Sequence, residues 1–158
     1  MSGSMLALHG VGIDIVHIPR ILKLISRKNY SHSRSHLSRF VERILTPSEH
    51  IAFRKRWGSD EEIFRDEKKT SNCAAHLAGR WAAKEAVIKA VSPDTVWMNQ
   101  IQISGNSGGG LSVSIPPGDS VRGTTSFLTS TTMSDFAKIS ISHDGDYAIA
   151  MCLSRRTD

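Results

Sequence analysis

Apolar and polar residues alternate near the N-terminus and then recur at helical spacing. Residues 11–16 are Val-Gly-Ile-Asp-Ile-Val, and this β-branched alternation predicts a buried strand with Asp14 on the opposite face from its two isoleucine neighbours. Pro19 follows in the first turn of a predicted helix, where no backbone donor is needed. We expect residues 26–39, rich in Ser, His and Arg, to form a loop or the frayed end of this helix. The apolar stripe of the helix is Ile18, Ile21, Leu22 and Ile25.

Two longer helices are predicted in the middle of the chain. Residues 46–49, Thr-Pro-Ser-Glu, have the pattern of a capping box, and the helix that they begin should run to about Trp57. The mixed-charge stretch 61–69 is expected to be solvated. The longest helical pattern covers residues 73–91 and ends at a Ser-Pro pair, because the residue before a proline avoids the helical conformation.

The C-terminal half favours strands. Four alternating segments are predicted, and the last two form a hairpin with Asp144-Gly145 as its turn. Residues 124–134, mostly Ser and Thr, predict a loop or a short irregular helix. One strand, then helices, then strands is the order of an α+β fold, and we expect a single domain over residues 1–158. The four segments are residues 101–103, 111–115, 138–143 and 147–153.

Composition narrows the class of protein without identifying it. The chain has 158 residues with 20 Lys and Arg against 15 Asp and Glu, and its net charge of +5 favours an acidic partner, whether nucleic acid, phosphorylated ligand or acidic protein. No apolar run approaches the roughly 20 residues of a membrane span, so we expect no membrane partner. Cys73 and Cys152 are too few for a disulfide framework, which favours an intracellular location.

Candidate chemistry rests on three isolated residues, because the sequence has no P-loop, no dinucleotide-binding glycine motif and no His-Glu-x-x-His zinc motif. Asp14 interrupts an apolar strand, and it either has a partner such as a metal or caps the following helix. Glu85 lies among small and apolar residues and is either a functional acid or half of a surface pair with Lys89. His143 ends a predicted strand and is either functional or simply faces water.

Four blocks of sequence, taken together, resemble one family. They occur in the order and approximate spacing of the holo-[acyl-carrier-protein] synthases, the short 4'-phosphopantetheinyl transferases, and cover about half of the chain. The block Leu-Ala-Gly-Arg-Trp-Ala-Ala-Lys-Glu-Ala, with an Asp upstream and Ser-x-Ser-His downstream, makes the resemblance specific. The blocks are residues 12–15, 40–46, 77–86 with 89–90, and 139–143.

The resemblance implies a fold and a reaction. The fold would be a small, mostly antiparallel sheet packed against helices, in trimers with active sites at the subunit interfaces. The reaction would transfer the phosphopantetheine arm of coenzyme A to a serine of an apo acyl carrier protein, releasing 3',5'-ADP, in support of fatty acid biosynthesis. The implied cofactor is Mg²⁺, with Mn²⁺ as a substitute, since a pyrophosphate needs a hard cation.

The resemblance also implies roles for four of the residues. Asp14 and Glu85 match the metal-binding acids, and either Glu85 or a metal-linked water that it orients would accept the serine proton. Lys89 would contact phosphate and stabilise the developing charge. His143 matches a histidine near the phosphates, which a neighbouring subunit can supply.

Further basic residues are implied to bind substrate or partner. Arg80 and Lys84 lie one turn apart and serve either phosphate or structure, with phosphate favoured for Lys84. Arg20, Lys23 and Arg27 form a positive face that would dock an acidic carrier protein, through contacts that salt weakens. A merely solvated basic face is the alternative for Lys23 and Arg27.

Two other functions compete with this interpretation. The basic stretch 20–43 would suit a small nucleic-acid-binding domain, but the sequence has no recognisable binding motif and no interleaving of aromatic with basic residues, so we expect no nucleic-acid partner. The four matched site residues disfavour an inactive relative that only binds a carrier protein. The chain is longer than the compact bacterial synthases and in this resembles the organellar enzymes of fungi, which implies the mitochondrial matrix, or otherwise the cytoplasm.

Overall fold

The computed structural model confirms the α+β architecture. It describes residues 8–27, 34–91, 96–105, 110–114 and 137–155. Within these ranges the helices are α1 (Ile18–Ile25), α2 (His36–Ile44), α3 (Pro47–Trp57), α4 (Asp60–Phe64) and α5 (Glu67–Val91). The strands are β1 (Leu8–His17), β2 (Gln102–Gly105), β3 (Leu111–Ser114), β4 (Ala137–Asp144) and β5 (Tyr147–Arg155), and a short 3-10 turn covers Met98–Gln100.

The described strands form an antiparallel sheet in the order β1-β5-β4-β3-β2. β1 pairs with β5 along nearly its whole length, so the first and last strands are neighbours. The β4–β5 hairpin is confirmed, but its turn is Gly145-Asp146, one residue later than predicted, because Asp144 pairs with Tyr147. Gly145 has a φ of 51°, the positive value that the first loop position of a type II' turn requires and that glycine adopts without strain.

α5 packs across one face of the sheet, and small residues let the two come close. A Cβ on Gly12 would clash with the carbonyl oxygen of Ala86, so β1 requires glycine at this point. Buried alanines of α5 continue the close contact along the helix. On another side α5 meets the smaller helices, where Phe40 stacks on Trp81 with ring centroids 5.5 Å apart.

The prediction that β1 is buried was wrong for one of its two faces. Asp14 does lie opposite Ile13 and Ile15, but these isoleucines point away from α5 and are 52% and 61% exposed. They pair with Met151 and Ile149 on β5, which are also exposed. We call the exposed apolar residues on this side the apolar sheet face: Val11, Ile13, Ile15, Tyr147, Ile149 and Met151.

Helix extends further than the sequence pattern predicted. Residues 36–39, expected in a loop, begin α2, and Ser35 caps this helix by accepting a hydrogen bond from the backbone N–H of Ser38 at 2.9 Å. The stretch 61–69 is mostly solvated, as expected, but Ile63 within it is fully buried. It is also helical, since it contains most of α4 and the start of α5. α3 agrees with its prediction, including the capping box.

Four predictions lie wholly or partly outside the described residues: positions 28–33 of the 26–39 loop, the Ser-Pro stop at 92–93, the end of the 111–115 segment, and the 124–134 loop. Cys73 and Cys152 are free and buried, and burial raises the pKa of their thiols to about 12 and about 11. In the part of the chain that the structure describes, no helix is both long and apolar enough to cross a bilayer.

Candidate active site

Asp14, Glu85 and Lys89 lie together where α5 crosses β1, and we call them the acid cluster. Lys89 Nζ donates one hydrogen bond to Asp14 Oδ1 at 2.8 Å and another to the carbonyl oxygen of Ile13 at 3.0 Å. Asp14 does not cap the following helix, because the N-cap of α1 is His17, which makes no side-chain cap. The capping alternative for Asp14 is therefore wrong, and its partner is a cation from α5.

Among the described residues, Glu85 is an acid without a direct partner. Its carboxylate has no hydrogen bond among the described residues, and the surface pair with Lys89 does not form because Lys89 bonds to Asp14 instead. Burial raises the pKa of Glu85, the negative charge of Asp14 raises it further, and the positive charge of Lys89 opposes both. A partly desolvated carboxylate with a raised pKa is suited to accept a proton.

The acid cluster fits a small, hard cation. Mg²⁺ is usually held by one or two carboxylates, with phosphate oxygens and waters completing its shell. Asp14 and Glu85 supply two neighbouring carboxylates whose mutual repulsion a cation would relieve. Across the described ranges, no group of three or more His, Cys, Asp or Glu side chains is placed to hold a metal, so a cation here would depend on further oxygens from a ligand or water.

Lys84, favoured above as a phosphate-binding residue, has a different place in the structure. Its side chain is fully buried, and its ammonium bonds to the Glu49 carboxylate, to the carbonyl oxygen of Ile44 at 2.6 Å and to that of Met98 at 3.1 Å. These three acceptors use all the donors of an ammonium. The predicted phosphate contact is therefore wrong, and Lys84 instead ties α5 to the segments around it.

Arg80 lines an open cleft of about 300 Å³ between α3, α5 and β2, which we call the arginine cleft. Its guanidinium donates to the carbonyl oxygen of Ile103 at 2.5 Å and lies 3.4 Å from the carboxylate of Glu49. Arg56 and His76 line the same space. Because guanidinium groups bind phosphate well, the arginine cleft is suited to an anionic ligand.

His143 lies on the sheet face that α5 covers, but away from the acid cluster. Its Nε2 is 3.2 Å from the carbonyl oxygen of Ala75, and its ring lies over Gly79, where a Cβ would crowd it. Ala75 and Glu85 are ten residues apart on α5, which is about 15 Å along the helix axis. His143 instead lies near enough to interact electrostatically with His76, which lines the arginine cleft, although His143 itself is not among the lining residues.

The acid cluster and the arginine cleft lie at opposite ends of the sheet. β1, which carries Asp14, is one end of the strand order, and β2, which lines the cleft, is the other. Four strand spacings separate them, or about 19 Å across a flat sheet. Glu85 and Arg80 also leave α5 on different faces, since residues five positions apart point about 140° away from each other. Within one chain they therefore form separate surfaces.

Arg20, Lys23 and Arg27 are all exposed. α1 ends at Ile25, so the first two lie on the helix and Arg27 lies just beyond it. α1 follows directly from β1, and the three cations are thus presented to solvent beside the strand that carries Asp14. This is the exposure that docking of an acidic partner requires.

Comparison with known proteins identifies the family. Residues 10–152 match the 4'-phosphopantetheinyl transferase superfamily. The chain belongs to that superfamily. It is 35% identical over 156 residues to 4'-phosphopantetheinyl transferase B, mitochondrial, of Aspergillus fumigatus, with 91% of this chain and 92% of the relative covered. It is 30% identical over 130 residues to a holo-[acyl-carrier-protein] synthase of Corynebacterium glutamicum, with 75% of this chain and 90% of the relative covered.

A solved transferase structure agrees with the fold. The holo-(acyl-carrier-protein) synthase of Bacillus anthracis, in complex with CoA (3',5'-ADP), aligns with a TM-score of 0.58 at 26% identity, covering 95% of this chain and 98% of that one. Together with the relatives, this confirms the expected class of enzyme, a phosphopantetheinyl transferase, and its fold of antiparallel sheet and helices.

Three residues of the arginine cleft were not singled out as functional in the sequence. Glu49 has its predicted place in the capping box, but its carboxylate also bonds to Lys84 and Arg80 and accepts a backbone N–H of β2 at 2.9 Å. His76 lies one turn before Arg80 on α5, and this spacing was a signal available in the sequence. Arg56 comes from α3, and only the tertiary structure brings it to the cleft.

Proposed function

We propose that this transferase moves the 4'-phosphopantetheine arm of coenzyme A to a serine of an apo acyl carrier protein, giving the holo carrier and 3',5'-ADP. The acid cluster carries the proposal: two carboxylates and a lysine, distant in sequence, meet where α5 crosses β1. Relatives named as holo-[acyl-carrier-protein] synthases, and a similar structure in complex with CoA, support it. The holo carrier would serve fatty acid biosynthesis.

The side chains of the acid cluster have separate tasks in this reaction. Glu85, with its raised pKa, accepts the proton of the carrier serine as the serine oxygen attacks the β-phosphate of coenzyme A. The bond between that phosphorus and the bridging oxygen breaks, and 3',5'-ADP leaves with the electron pair. Lys89, half exposed, directs its ammonium to the charge that develops on the phosphates. Asp14 holds that ammonium in position.

Asp14 and Glu85 would also hold Mg²⁺, which when bound neutralises charge on the pyrophosphate. Mn²⁺ would substitute, since it too takes carboxylate and phosphate oxygens as ligands. The fit rests on the two neighbouring carboxylates and on the electrostatic cost of keeping them together without a cation. EDTA should therefore stop transfer without unfolding the protein, because α5 packs on the sheet through apolar contacts.

We further propose that each active site is shared between two copies of the chain. The phosphates of coenzyme A lie close together in one molecule, whereas the acid cluster and the arginine cleft of one chain are separate surfaces. A neighbouring copy would supply Arg80 and His143 to the acid cluster of the first. The apolar sheet face is a continuous hydrophobic surface on which copies can associate, and it suits the homotrimer that the family resemblance implies.

The remaining surfaces follow from the same proposal. Arg20, Lys23 and Arg27 would dock the acidic carrier protein close to Asp14, so that the serine reaches Glu85. The likeness to a mitochondrial enzyme of Aspergillus favours the mitochondrial matrix as the place of this reaction.

The intact mass of an apo acyl carrier protein, after incubation with the chain, coenzyme A and Mg²⁺, tests the proposed function. We expect a gain of one phosphopantetheine arm, and no gain with EDTA. Glu85→Gln should slow transfer by about 10²–10⁴-fold because it removes the base and keeps the side-chain volume. Glu67→Gln, an exposed acid at the start of the same helix, is the matched control and should leave the rate unchanged. Coenzyme A binding without any mass gain on several carriers would contradict the proposal.

A further inference from the structure

His76 is not used by the reaction described above, yet it faces the arginine cleft. Its ring packs beside Phe53 and Trp57, with centroids 6.4 and 5.8 Å away. Neither ring nitrogen has a hydrogen-bond partner among the described residues, although Arg56 and Arg80 line the same space. Neither nitrogen is among the buried unpartnered atoms of the described residues, so the ring can be reached from the cleft. An imidazole held by aromatic packing at the wall of a cleft, beside two cations, is placed to contact an anionic ligand.

The surroundings of His76 favour its neutral form. Burial, and then the positive charges of Arg80, Arg56 and His143, lower the pKa of His76 to about 4. Glu49 does not compensate, because its carboxylate is already bonded to Lys84 and Arg80. A bound phosphate would reverse this balance, since it neutralises the arginines and favours a positive charge on the ring. The charged or titratable groups that face His76 are Arg56 and Glu49 from α3, Arg80 from α5 and His143 from β4.

We propose that His76 is a proton-linked phosphate-binding residue, which donates a hydrogen bond to a phosphate group in the arginine cleft and takes up a proton when that group binds. The inference rests on the proposed function, which supplies a phosphate-bearing nucleotide as the ligand. An imidazolium donates from both nitrogens and adds a full charge, whereas a neutral imidazole donates from only one. His76 is thereby a positioning residue for the nucleotide end of coenzyme A.

Ligand binding and protonation of His76 are linked in a definite direction. A ligand that raises the pKa of His76 binds more tightly as the pH falls, and its Kd changes by up to about tenfold per pH unit between the free and the bound pKa values. The phosphate monoester of the ligand, whose second pKa is about 6, also gains a proton as the pH falls, and this loss of negative charge weakens binding. The contribution of His76 to ligand affinity is therefore measured as the difference in Kd between the wild type and a His76 variant at the same pH.

Calorimetric titration of the full chain with 3',5'-ADP, in two buffers of different ionisation enthalpy at about pH 6.5 and about pH 7.5, measures the protons taken up per ligand. His76→Phe keeps the packing against Phe53 and Trp57, and we expect it to take up fewer protons than the wild type and to bind about tenfold more weakly at the lower pH. His76→Gln can donate but not titrate, so it should recover part of the affinity without the extra proton. His50→Gln removes a histidine of α3 outside the cleft and should match the wild type.

Equal affinity and equal proton uptake in the wild type and His76→Phe would overturn the inference. Unchanged 3',5'-ADP binding by Arg56→Glu, or no binding by the wild type, would overturn it as well, because the cleft would then not be the phosphate site. The carrier mass assay separates these failures from a failure of the proposed function. If the wild type transfers the arm and His76→Phe matches it across this pH range, only the inference fails. If the wild type transfers nothing, the proposed function fails.

Discussion

Lys89 Nζ lies 2.8 Å from Asp14 Oδ1, and this contact joins α5 to β1 across 75 positions of sequence. The same ammonium lowers the pKa of Glu85, one turn earlier on the helix, against the effects of burial and of Asp14. Lys89 therefore acts on both acids of the cluster: it pairs with one and restrains the pKa of the other.

Replacing Lys89 by Met should shift the pH dependence of transfer. Glu85 keeps the burial and the repulsion from Asp14 that raise its pKa, and loses the charge that lowers it. A base with a higher pKa is deprotonated only at higher pH, so the acidic limb of the kcat profile should move to higher pH by up to about one unit. The melting temperature should change little, because the lysine is half exposed. A shift to lower pH, or an unchanged profile, would remove Glu85 as the base.

Lys84→Met should destabilise the fold rather than weaken phosphate binding. Burial lowers the pKa of Lys84, and the negative charge of Glu49 opposes that effect. The charge of each residue is therefore stabilised in the interior by the other. Removing one partner of a buried ion pair costs about 3–5 kcal/mol, which urea denaturation measures. The double variant with Glu49→Gln should lose less than the sum of the single losses, by about 1 kcal/mol or more. Additive losses, or weaker coenzyme A binding at full stability, would contradict the structural role.

Two inactive variants should restore activity when they assemble together. Glu85→Gln damages only the acid cluster, and Arg56→Glu damages only the arginine cleft, at an exposed position that the fold tolerates. If each site draws its halves from two chains, random mixing leaves about a quarter of the sites intact. Co-expression with two tags, tandem purification and the carrier mass assay check this. Co-assembled chains that stay inactive would place both halves of the site on one chain.

The apolar sheet face should be required for that assembly. Ile13→Glu places a charge at its centre, where the side chain is exposed in the single chain but would be buried between copies. Light scattering should then show a monomer that keeps its helical circular dichroism and loses transfer. Ile51→Glu replaces the same residue type at a still more exposed position on α3; it is the control and should leave the assembly intact. An oligomer that survives Ile13→Glu would move the interface elsewhere.

Arg20→Glu should raise the KM for the carrier protein by about tenfold at low salt, with kcat and the KM for coenzyme A unchanged, because the charge acts on docking alone. The effect should shrink as salt is added. Arg65→Glu, an exposed arginine at the end of α4, is the matched control. Equal changes in the KM values of both substrates would show that Arg20 acts through the fold or on a phosphate.

Elements with a signal in neighbouring residues were predictable. A capping box starts α3, and alternation on both sides of a glycine turn marks the β4–β5 hairpin. α2 was missed because it is short and begins at a single serine within a polar stretch, whereas the capping box of α4, Ser59 with Glu62, was a local signal that the sequence-based prediction did not use. Short helices are stabilised by tertiary contacts rather than by propensity. Asp60 of α4 accepts hydrogen bonds from Ser38 at 2.9 Å and from Arg54 at 2.6 Å, and no local pattern encodes contacts of this kind.

The family was recognisable from sequence motifs, and the same motifs point to Asp14, Glu85 and Lys89 as its functional residues. Which of Lys84 and Lys89 can reach a phosphate became clear from the folded protein, where Lys84 is buried and Lys89, five residues later on the same helix, is half exposed. α5 packs against the sheet on one side and against other helices on another, so its apolar pattern does not reveal which lysine reaches solvent. A buried ammonium is stable only where acceptors from distant segments surround it. Lys84 finds these acceptors at the end of α2, in α3 and in the 3-10 turn before β2, and that arrangement exists only once the chain has folded.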